Sequence, residues 1–378
     1  MTDVIIIGGG IAVCSTARFL AADGADVVLL ERTDLNTQAS GVNSGSLHAQ
    51  IQHEPFVERG DNWVRKYLPA LPFYRYAIDL WEELAGEFGD EMEFSRDGGI
   101  IVASTDAQMR QVEAKTRLEQ SSGLGSELLD AAALHRLAPY ISTTMVGGAF
   151  CPLEGKASPL KSTTALASAA AAAGARLLRF SEVTAISRSS SGYRVATSQG
   201  VFEAPRVVNA AGSDVGRIAA LIGARLDVQA YPIQLSVTEP TRPLVSHLVY
   251  SAEDMLTLKQ NRAGTILIGG GWPAALDAHG RPRVNAESLA GNLALAARVV
   301  PGLAHARLIR SWAGVVNGTD SWLPILGEMP GFPGFFVNYV PWMGFTGGPA
   351  GGRIVASQVQ GRPPPVEFDV GPFAPAAQ

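Results

Sequence analysis

The first residues whose types and spacing could do chemistry are three consecutive glycines, Gly8-Gly9-Gly10, which follow a β-branched apolar run at residues 4–7. A stretch of helical composition follows, and a second apolar run at residues 25–31 ends in the carboxylate of Glu31. A glycine turn between a strand and a helix lets backbone approach a pyrophosphate, and the helix N-terminus supplies N–H donors. Glu31 can accept hydrogen bonds from a ribose. These residues predict a βαβ unit that binds a dinucleotide.

The glycine pattern departs from the G-x-G-x-x-G fingerprint at its third position, where Val13 stands. A glycine there normally allows close packing of helix and strand, and valine adds bulk. We therefore predict that this chain binds its dinucleotide more weakly than a Val13→Gly variant would.

The elements that must position these residues follow along the chain. Residues 158–173 form an alanine-rich helical stretch, and residues 206–211 form another buried apolar run that leads into Gly212. Residues 228–239 and 255–271 have the alternation of strands in a separate antiparallel sheet. The 378 residues fit two domains. We expect an α/β fold, with a Rossmann-like βαβ domain and a substrate domain built on a large mixed or antiparallel sheet.

Composition excludes several functions. The net charge is −5 without a Lys/Arg-rich run, which argues against nucleic-acid binding. Two cysteines, Cys14 and Cys151, cannot build a disulfide framework or supply an iron–sulfur cluster. The six histidines are scattered, so no metal site is expected. The small-apolar run at residues 165–175 is far shorter than the about 20 residues of a membrane span. With no signal peptide visible, we expect a cytoplasmic protein.

Nearly the whole chain resembles the D-amino-acid oxidase-like family of FAD-dependent amine oxidoreductases, which includes glycine oxidase, sarcosine oxidases and heteromeric amino-acid dehydrogenases. The order and spacing of several segments carry the resemblance. They are VIIIGGG (4–10), LLER (29–32), ASGVNSGS (39–46), the helical segment 158–175, VVNAAGS (207–213), ILIGGG (266–271), SWAG (311–314), LPILG (323–327) and GFTGGPAGGR (344–353). Segments 39–50 and 267–273 are most similar to the β subunits of octopine and nopaline oxidases and of D-hydroxyproline dehydrogenases.

The resemblance implies that FAD is the cofactor and assigns residues to it. Those expected at the pyrophosphate are Gly8, Gly10 and Ile11, and those at the adenosine ribose are Glu31 and Arg32. Residues expected along the diphosphate and the flavin edge are Ser40, Asn43, Ser44 and Gly45. The backbone of Val183 is expected at the adenine, with Ala211 and Gly212 beside the ribityl chain. Gly344, Thr346 and Gly347 begin a final helix whose N-terminus would point at flavin N1 and O2.

The substrate residues are less clearly marked. Family members that bind an amino-acid carboxylate often have an arginine soon after W-A-G, but residues 312–318 contain none. Lys259 and Arg262 are the replacement candidates, and solvated surface charge is the alternative for both. His48 could face the flavin without a covalent bond, attach to it, or be structural. Trp342, followed by Met343, is a candidate lid over an apolar substrate or a core residue.

The resemblance also implies the reaction and the assembly. We expect oxidation of the C–N bond of an opine or a D-/cyclic imino acid by hydride transfer to flavin N5. The chain would be the β subunit of a heteromeric dehydrogenase with a larger α subunit, in some assemblies with a small iron–sulfur subunit and a peripheral place at the inner membrane. The alternatives are a stand-alone amine oxidase that uses O₂ and a non-catalytic flavin-bearing subunit. The FAD-binding domain is expected at residues 1–85, 135–222 and 318–378, and the substrate domain at 86–134 and 223–317.

Overall fold

The computed structural model of the protein describes residues 2–376. In it, the apolar run Val4–Ile7 forms a fully buried strand (β1) at the centre of a sheet. β-Branched side chains favour extended backbone, and burial on both faces is typical of a parallel strand covered on each side. β1 pairs in parallel with Val27–Leu30 (β2) on one side and with Arg206–Asn209 (β12) on the other. The predicted βαβ unit is confirmed, with helix α1 (Ile11–Ala22) between the two strands.

The remaining elements have the following bounds. The other helices are α2 (Ala39–Val42), α3 (His53–Tyr67), α4 (Ala70–Phe88), α5 (Asp106–Ser121), α6 (Ala131–Leu137), α7 (Pro159–Ala172), α8 (Val215–Ala220), α9 (Ala286–Val299) and α10 (Gly344–Val359). The other strands are β3 (Ser46–Leu47), β4 (Gly99–Ala103), β5 (Glu127–Asp130), β6 (Gly147–Cys151), β7 (Gly155–Lys156), β8 (Arg176–Leu178), β9 (Val183–Ser189), β10 (Gly192–Thr197), β11 (Gly200–Ala204), β13 (Gln229–Thr238), β14 (Leu248–Ser251), β15 (Thr257–Gln260), β16 (Ile266–Gly269), β17 (Ala275–Leu276), β18 (Pro282–Arg283), β19 (Leu308–Gly318), β20 (Ile325–Glu328) and β21 (Phe335–Tyr339).

The first sheet has six strands in the order β20-β21-β12-β1-β2-β8, and only β20 runs antiparallel to its neighbour. One face, with Val4 and Ile6, packs against α1, α7 and α10. The other face, with Ile5 and Ile7, packs against α8 and the small sheet β9–β11. Two layers therefore cover a parallel core, which leaves the carboxyl ends of its strands at one edge.

Helices α1 and α10 approach each other closely because glycines face the contact. A Cβ atom at Gly352 would lie 2.9 Å from the backbone nitrogen of Thr16, and one at Gly348 would lie 3.3 Å from that of Ala12. A Cβ contact below 3.0 Å forces a neighbour to shift, and one between 3.0 and 3.4 Å is tighter than nine in ten real Cβ contacts. The close packing fixes the N-terminus of α10 beside the glycine turn.

The second sheet has eight strands in the order β19-β13-β16-β15-β14-β4-β6-β5 and is mixed, since β14 and β4 are parallel. One of its faces is covered by α9 and the other by α5. The predicted fold class, α/β with a large mixed or antiparallel second sheet, is confirmed. The predicted division stays a proposal, with one change: β6 belongs to this sheet, so we move residues 147–151 from the FAD-binding to the substrate-binding unit.

Residues 61–88, which show one helical pattern, form parts of two helices. Leu68 and Pro69 separate α3 from α4, and Gly60 kinks α3 with a φ of 68°. Within residues 2–376, no helix combines the length and the apolar character needed to cross a membrane.

Candidate active site

A cavity of about 920 Å³ lies where the carboxyl ends of β1, β2 and β12 face the second sheet. Its second wall comes from β13, β14 and β19, which contribute Tyr231, Tyr250 and residues 314–317. Most of the predicted site residues line it: Gly8, Gly10, Ile11, Glu31, Arg32, Ser40, Asn43, Ser44, His48, Val183, Ala211, Gly212, Trp342 and Gly344. The loops at one edge of a parallel sheet are the usual place for a nucleotide.

The glycine turn makes a cradle that a side chain would fill. Gly8 has a φ of 122°, and a Cβ atom there would lie 2.8 Å from the carbonyl oxygen of Ala210. A Cβ atom at Gly10 would lie 2.8 Å from Oγ of Ser40, and that oxygen accepts a hydrogen bond from the Ile11 N–H at 3.0 Å. The glycine turn before α1 therefore presents bare backbone to the cavity, while the Ile11 N–H is bound by Ser40.

Glu31 lies at the end of β2, where it is buried and lines the cavity. Its Oε1 accepts hydrogen bonds from Thr33 N (2.7 Å) and Thr33 Oγ1 (2.8 Å). Described residues supply no donor to Oε2, so this atom is available to a ribose hydroxyl. Thr33 thereby fixes the carboxylate in the position that the sequence predicts for a ribose ligand.

Two arginines border the same end of the cavity. Arg32 and Arg217 both pair with Asp214, the latter at 3.3 Å. Arg217 also donates to the carbonyl oxygen of Val183 at 3.3 Å. Arg217 therefore already occupies one lone pair of the Val183 carbonyl oxygen. Adenine would have to bind the other lone pair or the Val183 N–H, and this contact stays a prediction.

The loop after α2 is held by its own side chains. Asn43 donates through Nδ2 to the carbonyl oxygens of Ala39 and Ser40, and its Oδ1 accepts from Gly45 N at 2.7 Å. Gly45 has a φ of 78°, and a Cβ atom there would lie 2.1 Å from the Ala157 carbonyl oxygen. Gly45 thus packs behind the cavity wall, whereas Asn43 shapes the wall.

Lys259 lies behind this loop and is almost completely buried. Its Nζ donates to Ser44 Oγ at 2.8 Å and to Ser46 Oγ. Burial, followed by the nearby charge of Lys156, holds the pKa of Lys259 well below its ordinary value. The amine reaches the cavity wall only through Ser44, so it is not placed to grip a carboxylate inside the cavity directly.

Arg262 lies outside the cavity. Its guanidinium is largely exposed and pairs with Asp90 at 2.6 Å. The structure therefore does not support the expectation that Arg262 binds a substrate carboxylate, since surface ion pairing with a residue 172 positions away occupies it.

The N-terminus of α10 lies under the cavity floor. Thr346 is fully buried, and its Oγ1 accepts from the backbone N–H of His48 at 3.0 Å. Gly344 lines the cavity, but a Cβ atom at Gly347 would lie 2.7 Å from the Phe73 ring, so Gly347 packs against α4. Thr346 and Gly347 thus position the floor, and their predicted contacts with a flavin stay predictions.

Trp342 forms part of an aromatic wall. Its ring stacks on Trp322 at 4.5 Å and lies 4.6 Å from Tyr231, and all three residues line the cavity. Trp322 and Trp342 have φ values of 62° and 57°, which are unusual for bulky residues. The backbone N–H of Trp342 donates to Asn317 at 2.8 Å, which helps to hold this conformation.

The polar part of the cavity centres on His48, Tyr250 and Glu154. The Nδ1 atom of His48 lies 2.6 Å from the Tyr250 hydroxyl, which donates to Glu154 Oε2 at 2.8 Å. Burial, and then Lys259, lowers the pKa of His48 to about 3, so its ring is neutral at physiological pH. Burial raises the pKa of Glu154, while hydrogen bonds from Gln50 and Ala49 act in the opposite direction.

A buried ion pair supports this group from below. Lys115 donates to Glu119 Oε1 at 2.5 Å and to Gln50 Oε1 at 3.0 Å. Glu119 Oε1 also accepts from the Ile51 N–H at 2.9 Å. Sequence reasoning did not identify Tyr250, Glu154 or this pair. The only available signal was Glu154 itself, a single charge in the otherwise uncharged stretch 147–155.

The fold and the cradle together define a dinucleotide-binding protein, and comparison with known proteins specifies the cofactor. A family model described as FAD dependent oxidoreductase matches residues 3–358. The chain belongs to this family.

Individual relatives agree. The chain is 29% identical to a glycine oxidase of Geobacillus kaustophilus over 98% of its own length and 96% of the relative's. It is 25% identical to a sarcosine oxidase subunit beta of Rhizobium meliloti, with 94% and 83% covered. The crystal structure of glycine oxidase from Geobacillus kaustophilus superposes with a TM-score of 0.88 at 26% identity, covering 100% of this chain and 98% of that one. The chain is thus an FAD-dependent amine or amino-acid oxidoreductase of the glycine oxidase and sarcosine oxidase type.

The residues present fit FAD. The side-chain-free surface at Gly8 and Gly10 matches a pyrophosphate, and the unpartnered Oε2 of Glu31 matches a ribose. The aromatic and polar groups described above line the same cavity as these two features.

Proposed function

We propose that this chain is the β subunit of a heteromeric cytoplasmic dehydrogenase that oxidises a secondary amine of the opine or cyclic imino-acid class, with a guanidinium-bearing opine as the preferred substrate. The relatedness to sarcosine oxidase beta subunits supports the subunit role. The charge of the cavity supports the substrate.

The observation that carries the substrate proposal is an acidic rim on the cavity, formed by Glu54, Glu58 and Asp254. Within residues 2–376, none of these three carboxylates belongs to an ion pair. Burial raises the pKa of Glu54, the charges of Glu58 and Asp254 raise it further, and the charge of Arg59 acts in the opposite direction. Three like charges at one rim favour a ligand that brings positive charge, and a guanidinium can bind carboxylates in a bidentate manner.

The pairing of the basic residues in the cavity also supports a substrate that carries positive charge. Arg32 and Arg217 are paired with Asp214, and Lys115 is paired with Glu119. Among the described lining residues, no arginine or lysine is therefore free to clamp a lone amino-acid carboxylate. A small zwitterion such as glycine would lack its usual partner here, whereas a larger substrate could also use the acidic rim.

When bound, FAD supplies the electron sink that accepts a hydride from the carbon next to the amine nitrogen, and water then hydrolyses the resulting imine. The chain's own residues orient and desolvate the substrate. Tyr231, Trp322 and Trp342 form an apolar wall, and His48 and Tyr250 add polar atoms to the lining of the same cavity. Placing the C–H bond in a fixed, dry position is the protein's main contribution.

Anaerobic bleaching of the bound flavin tests the proposal. Octopine and nopaline, which carry guanidinium groups, should reduce the flavin faster than D-hydroxyproline, sarcosine or glycine at equal concentration. Glu58→Gln and Asp254→Asn should each raise the KM for octopine about tenfold, which corresponds to about 1.4 kcal/mol, and leave that for sarcosine unchanged. Glu367→Gln, which removes an exposed charge away from the cavity, is the control. Faster bleaching by glycine would reject the opine assignment.

Two other functions make different predictions. If the chain were a stand-alone amine oxidase, the bleached flavin would reoxidise rapidly in air and release peroxide. If it were a non-catalytic flavin-bearing subunit, none of these amines would bleach the flavin even with partner subunits present. The dehydrogenase proposal expects bleaching followed by slow reoxidation in air.

A further inference from the structure

The polar group beside the cavity is a continuous chain of hydrogen bonds whose directions can be worked out. Lys115 is at one end and His48 at the other, with Gln50, Glu154 and Tyr250 between them. Except for His48, which lines the cavity and is half-buried, all of these side chains are buried.

Lys115 fixes the orientation of Gln50. An ammonium group can only donate hydrogen bonds, so the Gln50 atom 3.0 Å from Nζ has to be the amide oxygen. The amide nitrogen of Gln50 therefore faces Glu154, and it donates to Oε2 at 2.9 Å.

Glu154 then receives three donors that cannot accept. Oε1 accepts from the backbone N–H groups of Ala49 (2.8 Å) and Gln50 (2.9 Å), and Oε2 accepts from the Gln50 amide. The remaining contact, at 2.8 Å, is with the hydroxyl of Tyr250. This geometry favours an ionised Glu154 that accepts four hydrogen bonds, the fourth of them from the Tyr250 hydroxyl. That hydroxyl has only one proton, and it is used in this bond.

The Tyr250 oxygen is left as an acceptor toward His48. Its 2.6 Å contact with Nδ1 therefore requires a proton on Nδ1. A neutral imidazole with Nδ1–H carries a lone pair on Nε2, and no group among residues 2–376 donates to that nitrogen.

We propose that Glu154 and Tyr250 are positioning residues that hold His48 in the Nδ1–H tautomer, so that Nε2 accepts a hydrogen bond from the N–H of the substrate amine. The contact selects primary and secondary amines over tertiary amines, because a neutral tertiary amine has no N–H. The tautomer follows from the hydrogen bonds alone, and only the amine selectivity rests on the proposed function.

Nitrogen-15 NMR of histidine-labelled holoenzyme tests the tautomer without any substrate. The His48 signals, assigned by their loss in His48→Gln, should show a protonated Nδ1 and an unprotonated Nε2. A proton on Nε2, or on both nitrogens, would overturn the proposal.

Two variants test the positioning residues. In Tyr250→Phe the tautomer preference should disappear. In Glu154→Gln the introduced amide can donate to the Tyr250 oxygen, so Tyr250 would donate to Nδ1 and the proton of His48 should move to Nε2. If the His48 tautomer is unchanged in both variants, the assignment is contradicted. If Glu154→Gln does not fold, the result for Tyr250→Phe alone tests the assignment. Tyr140→Phe is the matched control, because Tyr140 makes a 2.7 Å contact with Nδ1 of His247 away from the cavity.

A substrate pair tests the selectivity. Octopine should bleach the flavin at least about tenfold faster than its N-methyl derivative in the parent protein, a difference of about 1.4 kcal/mol. Tyr250→Phe should reduce this ratio toward one. Equal rates for the pair in the parent, with the expected tautomer observed, would reject the role in amine recognition. Absence of bleaching by any amine, again with the expected tautomer, would instead count against the proposed function.

Discussion

A single methyl group added at Gly8 would block the cradle that we assign to the cofactor. The Ala210 carbonyl oxygen lies only 2.8 Å from the position that this carbon would take, and the φ of 122° disfavours any L side chain. We predict that Gly8→Ala abolishes tight FAD binding, seen as loss of the flavin spectrum after purification. Gly24→Ala is the control, since Gly24 also has a positive φ, of 86°, but nothing lies within 4 Å of its Cβ position. Full flavin content in Gly8→Ala would refute the assignment of the cradle.

Val13 combines two effects. It is fully buried, and its Cγ2 lies 2.9 Å from the Cβ position of Gly8. The expected gain in FAD affinity in Val13→Gly therefore comes with a cost in stability, about 1 kcal/mol for glycine within a helix plus the lost burial of the side chain. Titration of the apoprotein with FAD and urea unfolding of the same variant measure the two effects separately. An unchanged or higher dissociation constant would reject the affinity prediction.

The sequence indicates site residues best where the chemistry is local. Gly8, Glu31 and Ser40 reach the cavity as expected because a turn, a strand end and a short helix place them. Tyr250 and Glu154 could not be predicted, since they meet His48 only through contacts 202 and 96 positions apart. The sequence left Arg262 open between substrate binding and surface charge for the same reason, because its ion-pair partner Asp90 is distant in sequence.

Among the elements, α10 depends most on close packing. Gly352→Ala would place a methyl group 2.9 Å from the Thr16 nitrogen, so α1 and α10 would have to move apart. We expect a loss of about 1–3 kcal/mol in the free energy of unfolding, together with weaker FAD binding because the α10 N-terminus shifts. Gly361→Ala, just after the helix, meets nothing within 4 Å of its Cβ position, so it should leave FAD binding unchanged even though the φ of 71° there makes alanine strained. Equal FAD affinity in both variants would mean that the helix contact does not position the site.

The buried Lys115–Glu119 pair lies within helix α5, and its members join α5 to the segment before α3 through hydrogen bonds with Gln50 and Ile51. Lys115→Met would leave the carboxylate of Glu119 without its counter-ion, and about 3–5 kcal/mol of stability should be lost. Lys115→Met combined with Glu119→Met should recover part of this loss, because no unpaired charge remains. Urea denaturation measures both. A double variant less stable than the single one would show that Glu119 contributes mainly through Ile51.

Element types were predictable from apolar periodicity, but the partners within the second sheet were not. The β1-α1-β2 unit is contiguous and carries its own turn signal. By contrast, β4 pairs in parallel with β14 and antiparallel with β6, across separations that no local pattern encodes. The pairing of β6 with β4 and β5 is therefore not visible from the sequence, and it is the reason for the change in the proposed division.

For the molecule as a whole, stability should fall in mild acid. Burial, followed by Lys115, lowers the pKa of His53 from 6.5 to about 4 in the folded protein. Below about pH 6.5 the unfolded chain takes up this proton and the folded chain does not. Stability is therefore lost as the pH falls toward 4, by at most about 1.4 kcal/mol per pH unit. His53→Gln should show a shallower loss than the parent between pH 6.5 and 5, and the exposed His279→Gln should match the parent. Equal slopes for His53→Gln and the parent would contradict this.

The strand order of the first sheet has a consequence for biosynthesis. β1 is made first, yet its partner β12 is more than 200 positions away, and α10 follows more than 100 positions later. At about 5–20 residues per second, a nascent chain on the ribosome carries β1 with the edge that pairs with β12 open for tens of seconds. Such an edge can pair with other chains, so we expect demand for chaperones during synthesis. Because the cradle needs Ala210 and the floor needs Thr346, we expect FAD to be loaded only after α10 has been synthesised.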